Sequence, residues 1–278
     1  YENPRALRHR LRAAGGKIKF RVKGTPDVQE ILLKKATDTE RVNLDEVKHD
    51  EGIQTLAGAA KILSGKIGSH TVVGTSQWAP FTLGGLAFGV EGIMRGIYRD
   101  KASVHAVLEF ATELCWRYLE PFIDSGVSMI SLADPSASGD MISREQFVEF
   151  SLPYLSKVAR RIKHRGVNVT VHICGDTTNR LDTIPSCEAD VMSMDYKVDL
   201  AEAARILGGK IAFAGNMNPV AVMQKETPEG VRNACLECIG KTRAIPGYIL
   251  MPGCDIPPSV PVENVKAMVD AARDFRID

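Results

Sequence analysis

From about residue 70 onward, short β-rich apolar runs alternate with amphipathic stretches. The runs are Thr71–Thr75, Val127–Leu132, Asn168–Ile173, Val191–Met194, Lys210–Ala214 and Gly247–Met251. Most are near-continuous apolar runs, the pattern of parallel strands covered on both faces. The stretches between them carry helix signals. Val104, Val107, Leu108, Ala111, Leu114, Cys115, Tyr118 and Phe122 recur at helical spacing. Ser143 to Gln146 reads as a capping box opening a helix through about His164. Asp199 to Glu202 opens a shorter helix that stops at Gly208-Gly209. Thr227-Pro228 is an N-cap followed by proline at the first helical position. Val265, Met268, Val269, Ala272 and Phe275 give the last helix a predicted buried stripe.

Strand–helix repetition without a Gly-x-Gly-x-x-Gly turn favours a (β/α)8 barrel of TIM type over a dinucleotide-binding sheet. Six runs leave such a barrel two strands short, and residues 1–70 offer at most Gly16–Val22. The expectation is a single α/β barrel domain over residues 1–278, with the first one or two strands lying before Tyr1. No linker, repeat or low-complexity stretch divides the chain.

Composition narrows this little. At 44% hydrophobic and 25% charged the chain is an ordinary globular sequence. Thirty-five basic against 34 acidic residues give no charge excess toward nucleic acid or an acidic membrane surface. No apolar run approaches the ~18 residues of a membrane span, and the first residues show no basic-then-apolar leader. Six cysteines in 278 residues are too few for a disulfide scaffold, so a reduced, cytoplasmic protein is expected.

The candidate chemistry collects just past the ends of the runs, where barrels carry their active sites. Ser76 and Gln77, Asp134, His172, Cys174 and Asp176, Asp195, Asn216 and Asn218, then Cys254 and Asp255 all fall there. On an extended strand His172 and Cys174 share a face. Glycine follows Cys174 and precedes Cys254, allowing close approach of the backbone. Two thiols and one imidazole with no fourth protein ligand match a catalytic rather than a structural zinc site, and soft sulfur favours zinc over magnesium or calcium. Asp134, Asp195 and Asn216 are candidates for substrate contact, for orienting a ligand, or for capping helices. Cys235 and Cys238 fall inside a predicted helix and read as core residues.

Ala133-Asp-Pro-Ser-Ala-Ser138, Val171-His-Ile-Cys-Gly-Asp176, Ala214-Gly-Asn-Met-Asn-Pro219 and Met251-Pro-Gly-Cys-Asp-Ile-Pro-Pro258 carry a further signal. From Trp78 to the C-terminus the chain resembles the uroporphyrinogen decarboxylase superfamily, within it the zinc-dependent corrinoid methyltransferase branch. The resemblance implies Zn2+ held by His172, Cys174 and Cys254 and methyl transfer between a small substrate, such as a thiol, and a corrinoid. No Asp-x-His-x-x-Gly corrinoid signature occurs, so the corrinoid is expected on a separate corrinoid-binding protein. Demethylation of an aryl methyl ether or methyl halide toward cobalt, metal-free decarboxylation of a cyclic tetrapyrrole, and ligand binding without turnover are the alternatives.

Overall fold

The computed structural model describes residues 12–19 and 27–275, which form two compact units. The first comprises Glu2–Ala137 with Glu145–Val169; the second comprises Ser138–Arg144 with Thr170–Asp278.

In the first unit β1 (Lys17–Lys19) pairs antiparallel with β2 (Asp27–Glu30). The rest of the predicted Gly16–Val22 run, residues 20–22, lies outside the described residues. Helix α1 (Glu51–Ile67) is capped by Asp50, whose side chain accepts from Gly52 N and Ile53 N. It leads to β3 (Gly74–Trp78), α2 (Pro80–Phe88), α3 (Val90–Arg99), α4 (Lys101–Asp124) and β4 (Met129–Ala133). β3 and β4 pair in parallel from Gly74 with Met129 to Trp78 with Ala133. The stripe predicted from Val104 to Phe122 is buried along α4. The predicted start of β3 is displaced: Val72 is 63% exposed, and the paired residues are the more polar Gly74–Trp78. Backbone pairing rather than apolar side chains fixes those limits, and Gly74 is needed because a Cβ there would lie 2.8 Å from Met129 O.

The helix expected from Ser143 to His164 forms in three pieces. A turn at Arg144–Gln146 runs into a π-helical segment, Phe147–Ser151, and then α5 (Leu152–His164). Pro153 at the start of α5 has no N–H to donate to the preceding turn, which favours a wider turn there. Along their length α4 and this segment are linked by ion pairs of Lys101 with Glu149, Glu109 with Lys157, Glu113 with Arg161 and Asp124 with Arg165.

In the second unit the Thr170–Ile173 part of β5 (Asn168–Ile173), β6 (Val191–Met194), β7 (Ala212–Met217) and β8 (Tyr248–Pro252) pair in parallel in sequence order. β5 and β6 fall where the sequence puts them. β7 begins two residues later than predicted and runs on through Asn216 and Met217, which pair with Met251 and Pro252. Helix α6 (Leu200–Leu207) is capped by Asp199, which accepts from Glu202 N, and it ends at Gly208. Helix α7 (Pro228–Thr242) is capped by Thr227. Met217, Met223, Val231, Cys235 and Ala271 form a buried cluster against helix α8 (Val262–Asp274). Cys235 is a core residue as expected, with its Sγ 3.2 Å from Met217 Sδ.

The stripe predicted for α8 holds in part: Val265 and Met268 pack against that cluster and Phe275 is half-buried, but two members fall outside it. Val269 is 37% exposed and Ala272 is also exposed, while Asn264 and Ala271 are buried and Ala267 and Met268 half-buried. A polar residue sets the rotation: Asn264 Nδ2 donates to Met223 O at 2.9 Å and Glu226 O at 2.8 Å. Positions 264, 267, 268 and 271 then face inward at helical spacing. Replacing Asn264 by Leu deprives two carbonyls of their donor and should cost roughly 1–3 kcal/mol. Val269→Ser should stay within about 0.5 kcal/mol of the parent. Urea unfolding of both variants checks the rotation; equal effects would contradict it.

Candidate metal centre

His172 lies on β5 and Cys174 one residue past its end, so the two-residue repeat of a strand aims both side chains the same way. Register supplies the next part. His172 is paired with Ser193 of β6, and Ser193 Oγ and His172 Nδ1 are hydrogen-bonded at 3.0 Å. With Nδ1 engaged, Nε2 is the nitrogen that faces the sulfurs, 3.1 Å from Cys174 Sγ. Cys254, just past the end of β8, brings its Sγ to 3.5 Å from Cys174 Sγ. One donor atom from each of the three lies within 4.8 Å of the others, and all three residues are half-buried. Among the described residues they are the one group of three or more His, Cys, Asp or Glu side chains so arranged.

Such crowding has an electrostatic signature. The Cys254 thiol is pulled down to about 5 because it accepts hydrogen bonds from Cys174 and His172. Cys174 is pushed the other way by its hydrogen bond to Cys254, then by burial, then by the negative charges of Cys254, Asp195 and Asp255. Two sulfurs at this distance resist carrying two negative charges unless a cation shares the site.

Glycine makes the approach possible on both sides. Gly175 has φ +80°, and a Cβ there would lie 2.3 Å from Ser138 Oγ. At Gly253 a Cβ would lie 2.5 Å from Tyr196 N. A side chain at either position must therefore displace the adjoining cysteine or the segment it packs on.

Asp195 is 6% exposed, and its Oδ1 accepts from Lys197 N at 3.0 Å. Asn216 Nδ2 donates to Asp195 O at 3.1 Å and Val198 O at 2.6 Å, tying the end of β7 to the loop after β6. Both residues therefore lie on the same loop cluster as the His–Cys–Cys group. Asp176 holds the loop after Cys174 by accepting from Thr178 N, and Asn218 caps its own turn at Val220 and Ala221. Asp255 is exposed.

The sequence reading missed Ser193, whose signal was its being the polar residue of Val191-Met-Ser-Met194. It also missed the segment 138–144, which packs on the loop after Cys174. Gly139 N donates to Asp176 O at 3.0 Å, and Lys197 pairs with Asp140 at 2.7 Å. The wholly buried Arg180 donates to Ile142 O at 2.9 Å. Arg144 engages both oxygens of Asp182, at 2.6 and 2.8 Å. Arginines at positions 144 and 180 have no sequence pattern that announces this clasp.

Asp134 lies in the other unit and is fully buried. Its Oδ1 accepts from Thr82 N and Oγ1 at 2.8 and 2.7 Å, and its Oδ2 accepts from Ser151 Oγ at 2.7 Å. Helix α2 has no capping side chain of its own at Ala79, so Asp134 supplies the cap from β4. Burial pushes its carboxyl up, and the hydrogen bonds from Thr82 and Ser151 oppose that. Gln77, also buried in that unit, accepts from Trp78 N through Oε1, and Ser76 lies half-buried within β3.

The chain belongs to the uroporphyrinogen decarboxylase (URO-D) family, whose profile matches residues 6–275. It is similar to the methylcobamide:CoM methyltransferase MtbA of Methanosarcina acetivorans, with 29% identity over 92% of this chain and 73% of that protein. With MtbA of Methanosarcina mazei the identity is 32% over 84% of this chain and 68% of that one. A solved methyltransferase from Methanosarcina mazei superposes with a TM-score of 0.85 at 24% identity, covering 95% of this chain and 77% of that chain. That likeness shows the fold, the TIM-type α/β arrangement that the strand–helix alternation predicts. Among the described residues no helix is long and apolar enough to cross a membrane.

Removing the orienting hydroxyl should weaken metal binding without removing a donor. Ser193→Ala is expected to lower zinc affinity roughly 10–100-fold, as loss of such a partner does elsewhere. Gly253→Ala should weaken it as well, through displacement of Cys254. Competition titration with a chromogenic chelator measures both; unchanged affinity in the two variants would contradict the assigned supports.

Proposed function

We propose that the chain is a zinc-dependent methyltransferase that moves a methyl group between a small substrate, with a thiol the first choice, and a corrinoid carried by a separate protein. The convergence of His172 Nε2, Cys174 Sγ and Cys254 Sγ within 4.8 Å carries this reading. The methyltransferase relatives supply the reaction class.

The donor set fits zinc. Tetrahedral bonds of about 2.0–2.1 Å to nitrogen and 2.3 Å to sulfur place neighbouring donors roughly 3.5–3.8 Å apart. The observed separations of 3.1 and 3.5 Å need only a slight opening. When bound, zinc would hold a substrate thiol in its anionic form near neutral pH, the form a methyl acceptor requires.

The chain's own residues do the rest. Ser193 fixes the His172 ring, and β5 and β8 present the two sulfurs. Asn216 and the Asp195 backbone hold the loop beside them, and we assign Asp195 and Asn216 to the border of the substrate position. Asp134 we assign a positioning part, through its hold on α2 and Ser151. Fixing the acceptor relative to an incoming corrinoid converts an encounter of two partners into an oriented displacement. No covalent methyl–protein species is needed.

The test follows cobalamin absorbance with reduced, zinc-loaded protein. One arm supplies methylcobalamin with a panel of thiols, the other cob(I)alamin with methyl ethers and methyl halides. Methyl transfer is expected in the first arm, and Cys174→Ala should remove bound zinc and lower the rate by roughly a hundredfold or more. Full activity in a zinc-free Cys174→Ala protein would overturn the reading. Carbon dioxide release from uroporphyrinogen, with both cobalamin arms silent, would replace it by decarboxylation.

A further inference from the structure

We propose that Cys174 and Cys254 form a reversible oxidation site: when no metal holds the two sulfurs, they close a disulfide that disables the centre. The inference rests on reading the pair as metal ligands and goes beyond it to how the site is switched off. The two sulfurs lie 3.5 Å apart, and a disulfide requires about 2.05 Å. The remaining approach of about 1.5 Å falls on two loops, each of which carries a glycine beside the cysteine, Gly175 and Gly253. Both cysteines are half-buried rather than sealed, so a small oxidant can reach them.

None of the six cysteines is in a disulfide, and the other four compete poorly. Cys115, Cys187 and Cys235 are buried. Cys238 shares helix α7 with Cys235, whose sulfur packs on Met217. The bond would join residues 80 apart, from the end of β5 to the end of β8, which are the first and last strands of their unit. It would consume both sulfur donors and leave His172 alone, so metal could return only after reduction.

The chemistry balances with a small-molecule disulfide such as oxidised glutathione. One cysteine attacks a sulfur of the oxidant, its S–S bond breaks, and one thiol leaves carrying a proton. The second cysteine attacks the protein sulfur of the mixed disulfide and releases the second thiol with the second proton. The protein loses two electrons and two protons, and the oxidant gains them. A bound metal draws charge from both sulfurs, lowering their nucleophilicity, and holds them at ligand spacing, so the loaded site should react more slowly.

Reduced, chelator-stripped protein treated with oxidised glutathione and then unfolded for titration should show four thiols in place of six. Its mass should drop by about 2 Da with no glutathione adduct, and digestion should yield a linked pair of peptides containing Cys174 and Cys254. Zinc uptake should be lost and should return after reduction. Zinc-loaded protein should react at least tenfold more slowly. Cys254→Ser should accumulate a glutathione adduct on Cys174 in place of the internal bond. Six thiols retained by the stripped protein, a Cys235–Cys238 bond instead, or equal rates with and without zinc would each overturn the proposal. Methyl transfer is assayed separately on reduced, loaded protein; its absence there would defeat the methyltransferase reading while the disulfide result stood.

Discussion

Two sulfurs and an imidazole nitrogen brought within a few ångströms of one another repel as soon as more than one proton is lost. Most of the features of the second unit answer that crowding. Parallel register puts Ser193 beside His172, glycines admit the backbone on either side, and Asn216 spends both amide hydrogens on the loop that carries Asp195. The thiol pair is balanced so that one sulfur gives up its proton readily and the other keeps it. On the two proposals made above, a bound divalent ion and a disulfide would be alternative ways of relieving that crowding.

The site and the scaffold were legible to different degrees. His172, Cys174 and Cys254 could be found because strand periodicity, soft-donor chemistry and flanking glycines all agree. The six parallel strands were equally clear, since they read as apolar runs, whereas the polar β2 (Asp27–Glu30) gave no such signal. Strand ends were not: Gly74–Trp78 and the last residues of β7 are held by backbone pairing, to which side-chain hydrophobicity is blind. One edge of the α8 stripe was misread for a related reason. One buried amide on Asn264 outweighs two exposed apolar positions, and apolar periodicity gives such a residue no credit. Ser193, Arg144 and Arg180 work through partners distant in sequence, so no local pattern reveals them.

Asp134 shows how one residue type at a strand end can serve a different end from its neighbours. It was grouped with Asp195 and Asn216 because it follows a β-run. Its three accepted hydrogen bonds instead join the start of a helix to the π-helical turn at Ser151. A carboxylate so engaged has little capacity left for a ligand, whereas Asp195 accepts its hydrogen bond from Lys197 through one oxygen.

The borrowed cap also makes one helix depend on a residue distant in sequence. Helix α2 contains two glycines, each about 1 kcal/mol less favourable than alanine, and begins at Ala79 without a capping side chain. Alone, that segment has little reason to be helical. It becomes so when β4 delivers Asp134 from 52 residues downstream of Thr82. The stability of helix α2 therefore depends on tertiary docking as well as on local helix strength, and its hydrogen exchange should follow the β3–β4 pairing that sets its first turn.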